Sequence, residues 1–291
     1  MASSLTTRLA ALFGAACAAL SLAVTAAAPV YADEEVEPEV NAAACTTTPT
    51  NGTEERGPDG RRYLVKVPAG LSGNAPLVVA LHGGYSNPRQ HLDQSGWEDF
   101  ANDKKFILVA PRGNKDEGDS NPSTWAWHAT STDVDYIKSV VNEVRTKWCV
   151  NPKRIHLTGH SNGGQMASRA GCLASTYFAS GAVYAPAPPP TGCNPARAIS
   201  WGVFHQRGDG TVWHEMAYSH VMYWMWENRP CNNDTPDGGT NTFESKRWSC
   251  DAGTSVVWRT YHGGNHDWPT GARRTEVMNR MWALFQGSPL P

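Results

Sequence analysis

The run Gly159-His160-Ser161-Asn162-Gly163-Gly164 constrains this chain more than any other, because of what stands on either side of it. Arg154 to Thr158 reads as a strand and Asn162 to Cys172 as a helix. A serine that must project from a sheet into a cleft needs a tight, strained turn, and the residues two before and two after it must lack bulk. Gly159 and Gly163 meet that demand. A helix starting directly after Ser161 also aims its free N–H groups at the serine, where a developing anion can be stabilised. The bland alternative is a glycine-rich turn with no chemistry, and the rest of the chain decides between the two.

The surrounding pattern is that of an α/β domain. Pro76 to Leu81, Phe106 to Ala110, Ser180 to Tyr184, Ser200 to Phe204 and Thr254 to Tyr261 are short apolar runs that read as buried strands. Arg61 to Val67 is strand-like after the turn Pro58-Asp59-Gly60. Between them, Trp97, Phe100 and Ala101 recur at helical spacing. Asp133 can cap a helix that sets Val134, Ile137, Val141, Val144 and Trp148 on one face. Met216 to Trp226 and Thr275 to Phe285 are also helix-compatible. Strands alternating with amphipathic helices predict a single domain over residues 45–291, with a mostly parallel sheet covered by helices on both faces.

The first 32 residues read as a signal peptide: Arg8, an Ala/Leu/Val-rich stretch from Leu9 to Ala28, and the small residues of Val30-Tyr31-Ala32 at a cleavage site. A membrane anchor is the rival reading, and the alanine richness and cleavage pattern favour removal. Residues 33–44 are acidic and expected to be a disordered lead-in. Export fits the six remaining cysteines, Cys45, Cys149, Cys172, Cys193, Cys231 and Cys250, as up to three disulfides. Cys231 and Cys250 bracket the Gly/Asp/Asn-rich, loop-like stretch Asn232 to Asn241 and are the pair expected to be joined. A net charge of −2 provides neither a basic face nor an acidic tail, so no nucleic-acid partner is expected, nor any stable membrane association after the leader is removed. There is no CxxC or HExxH and the ten histidines form no ligand cluster, so neither a metal nor a cofactor is expected.

A nucleophilic serine needs a base and an acid. Where the serine stands on a strand-to-helix turn of this kind, the partners follow in the order acid, then histidine. His262 and His266 both lie late enough, in Tyr261-His-Gly-Gly-Asn-His-Asp-Trp-Pro269. His262 abuts the last strand, whereas His266 lies past Gly263-Gly264 on a loop, which favours His266. Asp209 follows the strand ending at Phe204 on a glycine-flanked turn, ahead of Asp234, Asp237 and Asp251 as the acid. Leu81-His82-Gly83-Gly84 ends an earlier strand, and a loop there contributes a second oxyanion donor. The donors expected are the N–H groups of Gly84, with Tyr85 beside it, and Asn162.

On these residues the chain resembles the extracellular polyhydroxybutyrate depolymerase, feruloyl esterase and acetyl xylan esterase group of the α/β-hydrolase fold. The matching pieces are Leu81-His-Gly-Gly84, Gly96-Trp97, Ala110-Pro111, Trp125-Ala-Trp127 and Val150-Asn-Pro-Lys-Arg154, with Gly159 to Gly164, His205 with Asp209, and Gly264 to Pro269. The resemblance implies a secreted serine esterase with Ser161, Asp209 and His266 as its triad. A peptidase would use the same triad, and a non-catalytic binding module would lack one of its members. One departure stands out. The group carries small residues after the histidine of the acid loop, and this chain has Gln206 and Arg207, with Trp213 at the loop's end. That bulk predicts a narrowed cleft. Tyr85, Trp125, Trp127, Trp213 and Trp268 are expected to line it, as flat walls for a hydroxycinnamoyl ring or a sugar face. With no appended polymer-binding domain in view, feruloyl or acetyl esters of plant polysaccharides are the expected substrates, and polyester is the alternative.

Overall fold

The computed structural model describes residues 45–57, 59–113, 123–126, 132–232 and 235–291. The expected signal peptide, the lead-in, Trp127 and Asp234 lie outside the described residues. Among the described residues ten strands form one sheet: β1 (Thr53–Arg56), β2 (Arg62–Lys66), β3 (Ala75–Leu81), β4 (Ile107–Pro111), β5 (Val150–His160), β6 (Ser180–Tyr184), β7 (Ser200–Gln206), β8 (Thr235–Thr240), β9 (Phe243–Ser249) and β10 (Ser255–Tyr261). Their order is β1-β2-β4-β3-β5-β6-β7-β10-β9-β8. The middle, from β4 to β10, is parallel throughout, and antiparallel strands finish both edges.

Parallel strands must bury both faces, and alternation along the strands does this. In β3, Leu77, Val79 and Leu81 enter one core while Val78 and Ala80 enter the other; in β4, Ile107 and Val109 oppose Leu108 and Ala110. Three helices cover the first face: α3 (Asp133–Lys147), α4 (Asn162–Leu173) and α5 (His214–Glu227). The second is covered by α1 (Pro88–Ser95), α2 (Trp97–Lys104) and α6 (Gly271–Gln286). Among the described residues no helix is long and apolar enough to cross a membrane.

Two local expectations are corrected. Asp133 is the first residue of α3 and not its cap. Its buried carboxylate instead pairs with Arg61 and accepts the Ala126 N–H at 2.7 Å. The stretch Asn232 to Asn241 is not simply loop: β8 lies within it and pairs with β9 as the outermost hairpin of the sheet. An edge strand with one open side can be built from Gly, Asp and Thr because little of it faces the core. Disulfides join Cys45 to Cys149, Cys172 to Cys193 and, as expected, Cys231 to Cys250, which ties the end of α5 to the end of β9. Closing a loop of this last size is worth about 3 kcal/mol on the chain-entropy model.

Four buried histidines carry a pH signature. Burial lowers His82 to about 4, His156 and His220 to about 3, and His91 well below its ordinary value of 6.5. The unfolded chain therefore binds protons that the folded one refuses. The stability these rings contribute is complete above about pH 6.5 and is lost as pH falls toward their folded values. Each withheld proton amounts to about 1.4 kcal/mol per pH unit. Thermal midpoints should therefore fall steeply between pH 6 and 4. His220→Leu should flatten that slope, because neither nitrogen of His220 has a hydrogen-bond partner to lose. A midpoint independent of pH over this range would contradict the assignment.

Candidate functional site

The site lies where the parallel strands end. Ser161 follows β5, Gly84 follows β3, Asp209 follows β7 and His266 follows β10, so four separate loops lie at the C-terminal ends of the parallel strands, where ligands of open α/β sheets bind. Ser161 itself sits at φ 54°, ψ −121°, a strained conformation for any residue with a side chain. The residues two before it and two after it must be glycine. A Cβ on Gly159 would lie 2.3 Å from the Gly163 carbonyl oxygen. A Cβ on Gly163 would lie 2.2 Å from the His82 carbonyl oxygen. The turn can therefore form only with helix α4 pressed against the ends of β3 and β5.

His266 Nε2 lies 2.8 Å from Ser161 Oγ, and Nδ1 lies 2.7 Å from Asp209 Oδ2. Asp209 accepts at Nδ1, so that nitrogen carries the hydrogen and Nε2 is left to accept from the serine hydroxyl. The carboxylate is buried and the imidazole is about one-fifth exposed, so the reactive end of the line faces solvent. Burial works to raise the Asp209 pKa. The hydrogen bonds from His266 and from the Val212 and Thr211 N–H groups outweigh it, and the group ends below its usual range. It is therefore an anion at neutral pH. His205, whose Nε2 donates to the Val212 carbonyl at 2.8 Å, holds the other side of the acid turn. His262 points elsewhere, toward the Asn241 carbonyl on the hairpin side.

Of the two expected oxyanion donors, Asn162 is the first residue of α4, and an N–H there has no intrahelical acceptor. Gly84 faces it: a Cβ on Gly84 would lie 3.4 Å from the Cβ of Asn162. His82 fixes the loop between them. Its Nδ1 donates to the Gly83 carbonyl at 2.7 Å and its Nε2 accepts the Gly113 N–H at 2.9 Å, the neutral ring that its depressed pKa requires.

The aromatic residues expected along the cleft divide into two sets. Tyr85 and Trp213 are exposed, at 83% and 62%. Trp125 and Trp268 are buried, so they have little face to offer a ligand. Trp125 donates its indole N–H to the His82 carbonyl at 3.0 Å, and its backbone pairs with the Asn162 side chain, so it braces the loop that carries Gly84. Trp268 packs behind the His266 loop against Tyr184, His91 and His160. The expected narrowing by the acid loop is also revised. Gln206 is buried and turned toward the His266 loop, and Arg207 reaches outward to Glu244, so neither fills the cleft.

The model for the family described as "Alpha/beta hydrolase family" matches residues 78–286. Feruloyl esterase B of Piromyces equi is 27% identical over 238 residues, covering 71% of this chain and 42% of that protein. Poly(3-hydroxyalkanoate) depolymerase C of Paucimonas lemoignei is 30% identical over 124 residues, covering 41% of this chain and 29% of that protein. The chain thus spans less than half the length of these curated relatives. Among solved structures, an acetyl xylan esterase from Aspergillus awamori superposes with a TM-score of 0.64 at 14% identity, over 81% of this chain and 98% of that one. That likeness is one of fold.

The geometry makes a direct prediction. A fluorophosphonate should label Ser161 alone. Asp209→Asn should slow labelling by roughly 10⁴-fold, the loss expected when the imidazole adopts the wrong tautomer, with the thermal midpoint little changed. Asp237→Asn, whose carboxylate accepts from Ser245 in the hairpin, should label like the parent. Rate and peptide mapping together check this, and a slow Asp237 variant beside a normal Asp209 variant would move the acid elsewhere.

Proposed function

The chain belongs to the alpha/beta hydrolase family, and on that premise we propose that it is a secreted serine ester hydrolase with Ser161 as nucleophile, His266 as base and Asp209 as the acid that holds it. The unbroken hydrogen-bond line from Asp209 through His266 to Ser161 carries this reading. His266 Nε2 takes the hydroxyl proton as Oγ attacks the ester carbonyl. The carbonyl oxygen becomes an oxyanion between the N–H groups of Gly84 and Asn162, in a site whose dipoles are already in place. His266 then returns the proton to the leaving alcohol, and water cleaves the acyl-enzyme by the same route. Asp209 stays ionised and stabilises the imidazolium at each step. The residues do all of this without a cofactor.

We assign the natural substrates to feruloyl or acetyl esters of plant polysaccharides. The names of the relatives support the ester class, and the exposed rings of Tyr85, next to Gly84 in the chain, and Trp213, four residues after Asp209, can stack on an aromatic acyl group or a sugar. Polyester is the second reading. The same two rings, standing free at 83% and 62%, could also lie on a polymer chain, and one relative is named for that activity. Secretion rests on the leader-like first 32 residues and on the three disulfides, which persist in oxidising compartments.

A hydrolysis panel on the purified protein tests this. Methyl ferulate or acetylated xylan should be cleaved faster than polyhydroxybutyrate film. Clearing of the film without release of ferulate or acetate would select the polyester reading. Amide cleavage with no ester cleavage would select a peptidase. No turnover at all, with Ser161 unlabelled, would select a binding module.

A further inference from the structure

The His266 loop is held by side chains that belong to the other two members of the site. His160, one residue before the nucleophile, donates from Nε2 to the His266 carbonyl at 2.7 Å. Gln206, three residues before the acid, donates from Nε2 to the Asn265 carbonyl at 2.9 Å and to the Asp267 carbonyl at 3.3 Å. Three consecutive carbonyls, with that of His266 in the middle, are therefore each bound to a side-chain N–H. The amide of Gln206 can face only this way. Arg273 Nη1 donates to its Oε1 at 2.7 Å, and an arginine has nothing to accept with, so the NH₂ is left for the loop. Arg273 Nη2 also donates to the His262 carbonyl at 3.2 Å, which ties the start of the same loop to α6.

The backbone has been shaped to admit these side chains. Gly264 sits at φ 80°, and a Cβ there would lie 2.0 Å from Gln206 Oε1. Gly208 donates its N–H to the Gly263 carbonyl at 3.1 Å, and a Cβ on it would lie 2.3 Å from the Gly264 carbonyl oxygen. Burial, followed by the nearby His266, pulls the His160 pKa down to about 4. His160 therefore adds no positive charge beside His266, whose ring centroid is 4.9 Å away.

Resting on the reading of Ser161, Asp209 and His266 as the triad, we propose that His160 and Gln206, with Arg273 orienting the Gln206 amide, are positioning residues that clamp the His266 loop so its imidazole stays in reach of both partners. A loop that ended in a histidine and was held only by its own turns would sample orientations in which one of the two bonds is lost. The clamp removes those orientations by fixing the loop to the two segments that carry the bonds' other ends. It also accounts for the departure at position 206, where a small residue could not span to Asn265 and Asp267.

The test uses Gln206→Met, which keeps the length and loses the donors, and Gln206→Glu, which keeps the bond to Arg273 but turns an anion toward the carbonyls. His160→Phe and His160→Gln complete the set. With p-nitrophenyl acetate as probe, Gln206→Met, Gln206→Glu and His160→Phe should each lower kcat about 10- to 100-fold, as misplacement of a catalytic group does. KM should change less than about threefold, fluorophosphonate labelling of Ser161 should slow in parallel, and thermal midpoints should stay within a few degrees. His160→Gln, which can still donate, should recover most of the loss. Turnover within twofold of the parent in Gln206→Met and His160→Phe would overturn the clamp, as would losses that follow the thermal midpoint alone. Failure of the triad reading is distinguishable, because the parent would then neither label at Ser161 nor turn over. The clamp is then decided by the downfield proton of the His266 Nδ1–H bonded to Asp209. That resonance should be sharp in the parent and weakened in Gln206→Met, and an equal resonance in both would overturn it.

Discussion

Three backbones meet where the end of β3, the end of β5 and the first turn of α4 touch with no side chain between them. Ser161 at φ 54° carries strain of order 1–3 kcal/mol, and the surrounding sheet must over-determine it for the turn to persist. The glycines at 159 and 163 make this feasible by letting α4 settle onto the carbonyls of Leu81 and His82. That contact also sets the chemistry. It brings the first N–H of α4 opposite Gly84, so the proposed nucleophile and the two proposed oxyanion donors come from one packing event.

The loops that complete the site are held mainly by side chains reaching main-chain atoms of their own and of neighbouring segments. His82 fixes Gly83 and Gly113, Trp125 holds the His82 carbonyl, the Asn162 side chain accepts the Trp125 N–H, and Asp209 gathers the amides of Thr211 and Val212. Bonds of this kind fix a loop's orientation without burying apolar surface that a substrate could use. They also explain why so many polar side chains are buried here: each satisfies a backbone group that a loop could not satisfy internally.

Much of this was legible in the sequence, and the parts that were not have physical reasons. The turn around Ser161 was readable because its demands are local: a strand, a helix and two glycines within a dozen residues. Asp209 and His266 were readable from their places after apolar runs. The hairpin of β8 and β9 was not, because an edge strand rich in Gly and Asp shows no alternation to recognise. Helix α1 was missed as well: Asn87 caps it and Pro88 opens it, yet few of its residues are apolar. Trp125 and Trp268 could not be told from exposed tryptophans, since a motif records that a ring is present and not which way it turns. Gln206 was visible as a departure, but its direction depends on a loop some 60 residues further along the chain.

The disulfide between Cys45 and Cys149 divides the chain in a way the sheet does not. Its two ends are 104 residues apart, and the covalent ring they close holds β1 to α3, including Gly84 and Trp125. Ser161, Asp209 and His266 all lie outside that ring. A single backbone cut anywhere between the two cysteines would open the ring into a branch but release nothing. The part that carries Gly84 would remain tethered to the part that carries Ser161, His266 and Asp209. A nick in this third of the chain is therefore a change of connectivity and not a loss of parts.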